Sequence, residues 1–420
     1  MRLAQDGWRG LGGSARVGRG IVAGMALFVA TTADGTPAYG RRYGLNCETC
    51  HAPLPPRLNN VGILFRKSGF RMPDADENGK FLLKTVSSHG WGDAVSIVGN
   101  AGIRRDDKVG PGESRTTFEL GEVELASGTA IGKHFSTQVM LTWADGVAKV
   151  ENLEAQVNLG STEHQFTARG GLLQTYIWQK ANHGSLTHST PLLFDEAAVL
   201  GVGGFGGFGL GGNQLGAEVG YVYTHLADGK MSSTIVTAAL LNGVNEAGER
   251  ADRNTRGGAD FYLQAVHLFG DRNTIGAFYY DGRTTLDPTG AGDPAGPFRH
   301  RFARYGVMGN YLLFKRFDVV GGAALGTDRS EVLGTDARFR GFFGELDIQL
   351  TKRLICVYRY DDVDTDRDAE NASVRAHTVS TTWQADDHVY LTGEYRWLRR
   401  PEGPDVLTNG SFILNARVTF

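Results

Sequence analysis

The chain has 420 residues, 41% of them hydrophobic and 59 of them glycine, with a formal net charge of −3. So small and dispersed a charge carries no electrostatic footprint of a nucleic-acid binder, and no apolar run is long enough for a membrane-spanning helix in a mature chain. Strands are left as the means of crossing a membrane, and a glycine- and aromatic-rich chain suits them.

Residues 1–38 read as a secretory signal. Arg2, Arg9, Arg16 and Arg19 form a basic leader and Ile21 to Ala30 an apolar stretch, followed by small residues that permit cleavage after Ala33 or after Ala38. A buried helix would need a polar face and caps, which this stretch lacks. Export implies an oxidising compartment, yet two of the three cysteines lie three positions apart and Cys356 is distant, which is no disulfide framework.

Cys47-Glu48-Thr49-Cys50-His51 has the spacing of a c-type haem attachment site. Two thiols form thioethers with the porphyrin, and the adjacent imidazole becomes an axial iron ligand. The competing readings are a thiol redox pair and half a zinc site. Neither the clustered further ligands of zinc nor a βαβ context for a redox pair is present. One covalently attached haem c is therefore the expected cofactor.

Pro53, Pro55 and Pro56 follow, then Leu58, Val61, Leu64 and Phe65 at helical spacing. The pattern predicts one apolar helical face, started by proline and stopped by Gly69, with Gly62 allowing close backbone approach to the porphyrin. Arg41, Arg42, Arg57, Arg66, Lys67 and Arg71 are candidate partners for haem propionates. For the second axial ligand the nearest side chains are Met72 and His89, and methionine would favour the higher reduction potential. Residues 39–92 thus form a monohaem c-type cytochrome segment.

From residue 93 to 420, segments of alternating polarity separated by turn residues predict a transmembrane barrel. Phe412, Leu414, Ala416, Val418 and Phe420 fall on one face of the final segment, and Ile413, Asn415, Arg417 and Thr419 on the other. Leu153, Ala155, Val157 and Leu159 alternate with Asn152, Glu154, Gln156 and Asn158; Phe342, Leu346, Ile348 and Leu350 oppose Glu345, Asp347 and Gln349. A soluble sandwich would also have one apolar face, but the charges mid-strand in the polar sets and the aromatic residue that ends the last strand favour a barrel, with the apolar sets facing lipid and the polar sets a lumen. Cys356 is read as packing or lipid-facing. Short turns are expected near Leu226–Lys230, Gly270–Asn273, Phe314–Phe317, Leu350–Arg353 and Gln384–Asp387, alternating with long extracellular loops. The alternation holds upstream if 177 to about 206 is one long extracellular loop. It gives an all-β fold of about sixteen antiparallel strands, wide enough for a plug. A plug of roughly fifty residues is too short to enclose a haem alone, so the barrel's inner wall is expected to complete the pocket.

Tyr39-Gly40-Arg41-Arg42-Tyr43-Gly44-Leu45-Asn46, the haem motif, and then Pro56, Leu58-Asn59, Gly62, Phe65 and Gly69-Phe70 resemble the fused monohaem cytochrome–porins of the outer membrane. That family includes iron oxidases of iron-oxidising bacteria, and the resemblance covers a small part of the chain. It implies that extracellular Fe(II) reduces the haem, which passes the electron to a periplasmic carrier such as a soluble cytochrome c. Cys47 and Cys50 carry over as attachment sites and His51 as axial ligand. Asp361, Asp362, Asp364, Asp366, Asp368 and Glu370 are the candidate Fe(II) encounter site, placed on an extracellular loop by the turn count. Two alternatives stand beside iron oxidation: an outer-membrane conduit for another donor or acceptor, and a gated diffusion porin with a structural haem.

Overall fold

A computed structural model describes residues 38–72, 95–110, 113–144, 146–174, 186–195, 213–227, 230–243, 259–286, 298–330, 336–369, 373–402 and 405–419. The signal sequence, apart from Ala38, and His89 lie outside these residues. Sixteen antiparallel strands close into one barrel, each beside its neighbour in sequence, with the first paired to the last from Val98–Thr419 to Asp107–Gly410. They are β1 (Ser96–Gly110), β2 (Glu113–Ile131), β3 (Phe135–Ala144), β4 (Val147–Gly160), β5 (His164–Gln174), β6 (Asn213–Ala227), β7 (Lys230–Leu241) and β8 (Asp260–Phe269). The second half comprises β9 (Asn273–Leu286), β10 (Phe298–Leu313), β11 (Phe317–Ser330), β12 (Asp336–Thr351), β13 (Leu354–Asp364), β14 (Ser373–Asp386), β15 (Val389–Glu402) and β16 (Asp405–Thr419). Closure pairs every strand on both sides, as a membrane demands of each backbone polar group.

The alternation read from the sequence has a physical counterpart in exposure. Leu153, Leu159, Phe412 and Leu414 are between 43% and 52% exposed, whereas Asn152, Glu154, Gln156, Asn158 and Ile413 are between 3% and 5% exposed. Phe118, Phe135, Trp143, Tyr305 and Trp383 also point outward, giving the apolar, aromatic-rich exterior that lipid requires. The five expected short turns all fall between strands, at one end of the barrel. The connection from β15 to β16 is not the long extracellular loop that the alternation requires there, because the two strands stay paired as far as Glu402–Asp405.

Ahead of the barrel, residues 38–72 fold as α1 (Ala38–Tyr43), a single 3₁₀ turn (Cys47–Thr49) and α2 (Asn60–Lys67). The plug meets the wall near the short turns, the periplasmic side of such barrels. Asn60 donates to the carbonyl of Gly270 at 2.8 Å, and Arg71 to that of Gly132 at 3.0 Å. Ile63 and Leu64 of α2 pack on Val222, Ile235, Val266 and Leu268 of the inner wall. Arg57 is buried against three wall carboxylates: Asp318 at 3.2 Å, Glu345 at 2.7 Å, and Asp347. Removing one member of such a buried group leaves uncompensated charge and costs about 3–5 kcal/mol. Arg57 is therefore an anchor of the plug, not a cation available to a haem propionate.

The connection after β5 departs from the expected extracellular loop. Its described part, 186–195, lies against the inner wall and includes α3 (Leu192–Asp195). Leu192, Leu193 and Phe194 join inward side chains including Tyr262, Tyr280, Phe302, Phe339 and Phe343 in one buried cluster. A stretch of the lumen that the alternation predicts to be polar is thus apolar, because this segment supplies partners for aromatic side chains that would otherwise face water.

Candidate functional site

The local fold of the Cys47–His51 stretch is set by its neighbours. The backbone NH of His51 donates to the carbonyl of Cys47 at 2.9 Å, closing the turn that carries both thiols. Asn59 then ties this turn to α2. Its side chain donates to the carbonyls of Glu48 (3.2 Å) and Thr49 (3.0 Å), and accepts from the backbone NH of Gly62 (3.0 Å) as the cap of the helix. The predicted proline start of the helix is replaced by this asparagine cap, whose side-chain oxygen satisfies an NH that proline cannot. The predicted stop holds: Gly69 sits at φ +69°, and Phe70 NH closes back on the Phe65 carbonyl at 2.9 Å.

Gly62 lines a cavity together with Cys47, Cys50 and His51 and answers a second need besides the one expected. A Cβ there would stand 2.3 Å from the carbonyl oxygen of Cys50, so its missing side chain lets α2 press on the cysteine turn itself. The aromatic residues close the other side. Tyr39 stacks on Phe70 at 5.2 Å between ring centroids and meets Phe65 edge-on at 5.1 Å; Tyr43 meets Phe65 edge-on at 5.8 Å. A Cβ at Gly128 of β2 would fall 1.7 Å from the Tyr39 hydroxyl, so the wall is hollowed where Tyr39 enters.

Cys47, Cys50 and His51 line a cavity of about 650 Å³ between the plug and the wall from β13 through β16 to β3. That size falls within the range of roughly 300–1,000 Å³ typical of cofactor sites. On the plug side it is floored by Tyr39, Tyr43, Leu54, Leu58, Phe65 and Phe70. The wall contributes Met140, Tyr390, Ile413 and Arg417, and β2 adds Glu119, Glu122 and Glu124. A bulge in β2 opposite Asn100 places both Gly121 and Glu122 on the cavity.

The electrostatics of the three motif residues separate the possible chemistries. His51 Nδ1 donates to the carbonyl of Arg57 at 3.1 Å, which leaves Nε2 as the ring's lone-pair nitrogen. Burial above all, with Arg417 and Arg66 adding to it and backbone hydrogen bonds opposing it, pushes the imidazole pKa down to about 4. The ring is thus neutral, the form that binds metal. Burial raises both thiols, Cys50 to about 11 with the neighbouring Cys47 adding to it. A dithiol redox site requires the opposite, a depressed cysteine pKa. No group of metal-binding side chains that would complete a zinc site occurs among the described residues. The donor set, the apolar floor and the cations fit a porphyrin attached through Cys47 and Cys50 and ligated by His51.

Of the other sequence candidates, Arg66 lines the cavity, while Arg57 and Lys67 are paired with wall carboxylates, Lys67 with Glu218 at 3.2 Å. Arg41 and Arg42 bond Val95 and Thr129, and Arg71 reaches the β2–β3 turn. Arg417, placed on the lumen face by its alternation, joins Arg66 at the cavity, and its buried Nε has no hydrogen-bond partner among the described residues. Met72 does not line the cavity: Arg71 has already carried the chain to the β2–β3 turn. His188, which no sequence pattern singles out, does line it.

The acidic run does not converge. Asp361, Asp362 and Asp364 belong to β13 rather than to a loop. Asp361 is buried against Arg359 at 2.8 Å, Asp362 meets Arg375 at 2.9 Å, and Asp364 meets Arg340 at 3.8 Å. Asp368 pairs with Arg338, and Asp366 is half-buried and accepts from the backbone NH of Asp368 at 3.1 Å, while Glu370 lies outside the described residues. Arginines of β12, β13 and β14 divide the run into separate ion pairs.

The anion-selective porin of Comamonas acidovorans superposes with a TM-score of 0.53 over 78% of this chain and 98% of that one, at 10% identity. The barrel has the porin fold. OprB of Pseudomonas putida matches similarly, with a TM-score of 0.51, 9% identity, and coverage of 81% of this chain and 99% of that one. No protein-family model and no curated protein matches the sequence. The chain is an outer-membrane β-barrel with lipid around its apolar exterior.

Proposed function

We propose that this porin-like barrel carries one covalently bound haem in its lumen and moves electrons across the outer membrane. The observation that carries this reading is the placement of Cys47, Cys50 and His51 on a single cavity closed partly by the plug and partly by the wall. When bound, the haem supplies a one-electron redox centre. The protein's own residues hold it: the thiols fix it to the chain, His51 offers a neutral imidazole, and Arg66 and Arg417 are the arginines on the cavity that would face its carboxylates. An apolar band about 25 Å tall separates soluble carriers on the two sides, and a redox centre inside the barrel divides that distance. The donor that the sequence resemblance implies is extracellular Fe(II), with a soluble periplasmic carrier as acceptor. Iron rests on that resemblance alone, since the acidic run is divided among arginines.

A gated diffusion porin with a structural haem is the second reading, and the likeness to porins favours it over iron oxidation. One pair of measurements separates the two. Purified protein mixed with anaerobic Fe(II) is expected to develop the reduced-haem absorption band, and the same protein in a planar bilayer is expected to show little steady conductance. A haem that ferrous iron leaves oxidised, in a barrel that conducts like an open pore, would reject electron transfer and leave the porin.

A further inference from the structure

The segment 186–192 enters the lumen and is held there by wall groups that are themselves buried. Leu186 NH donates to Glu345 at 3.3 Å, and the NH groups of His188 and Ser189 donate to the two carboxylate oxygens of Glu394 at 2.6 and 3.0 Å. Arg359 donates to the carbonyls of Ser189 at 2.9 Å and Thr190 at 3.2 Å, and Leu192 NH donates to Asp361 at 3.0 Å. Glu345, Arg359, Asp361 and Glu394 are each no more than 2% exposed. Charge-assisted hydrogen bonds from buried groups give the segment one position.

That position brings it against the cysteine turn. Leu54, three residues beyond His51, is buried in one cluster with Leu186, two residues before His188, together with Ile355, Val357 and Tyr390. His188 lies on the cavity that Cys47, Cys50 and His51 line. Its backbone NH is committed to Glu394, and the residue is exposed. Met140 is the methionine that lines the cavity among the described residues, on β3. Imidazole suits iron, and a pair of imidazoles makes a stable low-spin haem with a lower potential than a His–Met pair.

We infer that His188 is the second axial ligand of the haem. The inference rests on the haem reading given above and adds to it a coordinate bond from an imidazole lone pair to iron, with nothing oxidised or reduced. It makes the β5–β6 connection part of the redox centre: the ligand that completes the iron also fixes that segment in the lumen.

The test uses the full chain purified in detergent, with covalent haem verified on the denatured polypeptide. His188→Ala is expected to keep the covalent haem, lose the low-spin absorption spectrum in favour of a high-spin one, and recover it when free imidazole is added. His188→Met retains a ligand and is expected to shift the midpoint potential upward. An unchanged spectrum in His188→Ala overturns the assignment, as does a high-spin conversion produced by Met140→Leu and not by His188→Ala. Covalent haem with an unchanged spectrum rejects His188 alone; a wild-type chain with no covalent haem rejects the haem reading and the ligand together.

Discussion

Gly62 shows how finely the packing of the cysteine turn depends on one side chain's absence. Alanine there gains helix propensity of up to about 1 kcal/mol. The same substitution drives a Cβ to 2.3 Å from the Cys50 carbonyl oxygen, a backbone atom that cannot turn aside. Overpacking of this kind costs about 1–3 kcal/mol, so the clash outweighs the propensity. Gly62→Ala is expected to lower the thermal midpoint at which the haem environment is lost, followed by absorption. A midpoint equal to or above that of the wild type would mean that α2 does not pack on the cysteine turn as described. At this scale much was legible: Cys47, Cys50 and His51 announce themselves by spacing, and Gly69 by its place after an apolar helix. Arg57 was not, because its partners Asp318, Glu345 and Asp347 lie more than 250 positions away and only the closed barrel brings them together.

Among the elements, the strands were readable and the inward segment was not. A strand in a barrel faces lipid on one side, so its period of two is written into the sequence, as in Leu153–Leu159 against Asn152–Asn158. Residues 186–195 have no such period; they are held by Glu345, Arg359, Asp361 and Glu394, whose lumen faces the alternation reveals but whose partners it does not. The acidic run failed as a site for the same reason, since Arg338, Arg340, Arg359 and Arg375 approach it from its own and neighbouring strands. Glu394 offers the cleanest test of the segment. Glu394→Gln keeps one acceptor oxygen but turns an amide toward an NH group, a loss of about 1–3 kcal/mol for a buried donor left unsatisfied. The variant is expected to conduct more than the wild type in a planar bilayer as the segment leaves the wall. Equal conductance would show that Glu394 does not hold the lumen closed.

For the whole molecule, one arrangement links fold to function: a porin barrel whose lumen is taken up by its own chain from two directions. The plug sits at the end with the short turns, and the β5–β6 segment meets it in the cluster that joins Leu186 to Leu54. Strand number and outer-membrane location followed from the alternation and turn spacing, because closure and lipid constrain every strand alike. What fills the lumen did not follow, since inward side chains answer to whichever segment reaches them. The account's central claim is that a porphyrin is bonded to this chain at Cys47 and Cys50 inside the barrel. Acid–acetone extraction of the purified outer-membrane protein, followed by mass analysis of the peptide spanning residues 47–51, tests it most directly. The expected result is a tetrapyrrole that stays on that peptide and is lost in the Cys47→Ala, Cys50→Ala variant; an unmodified peptide from the wild-type protein would contradict the account.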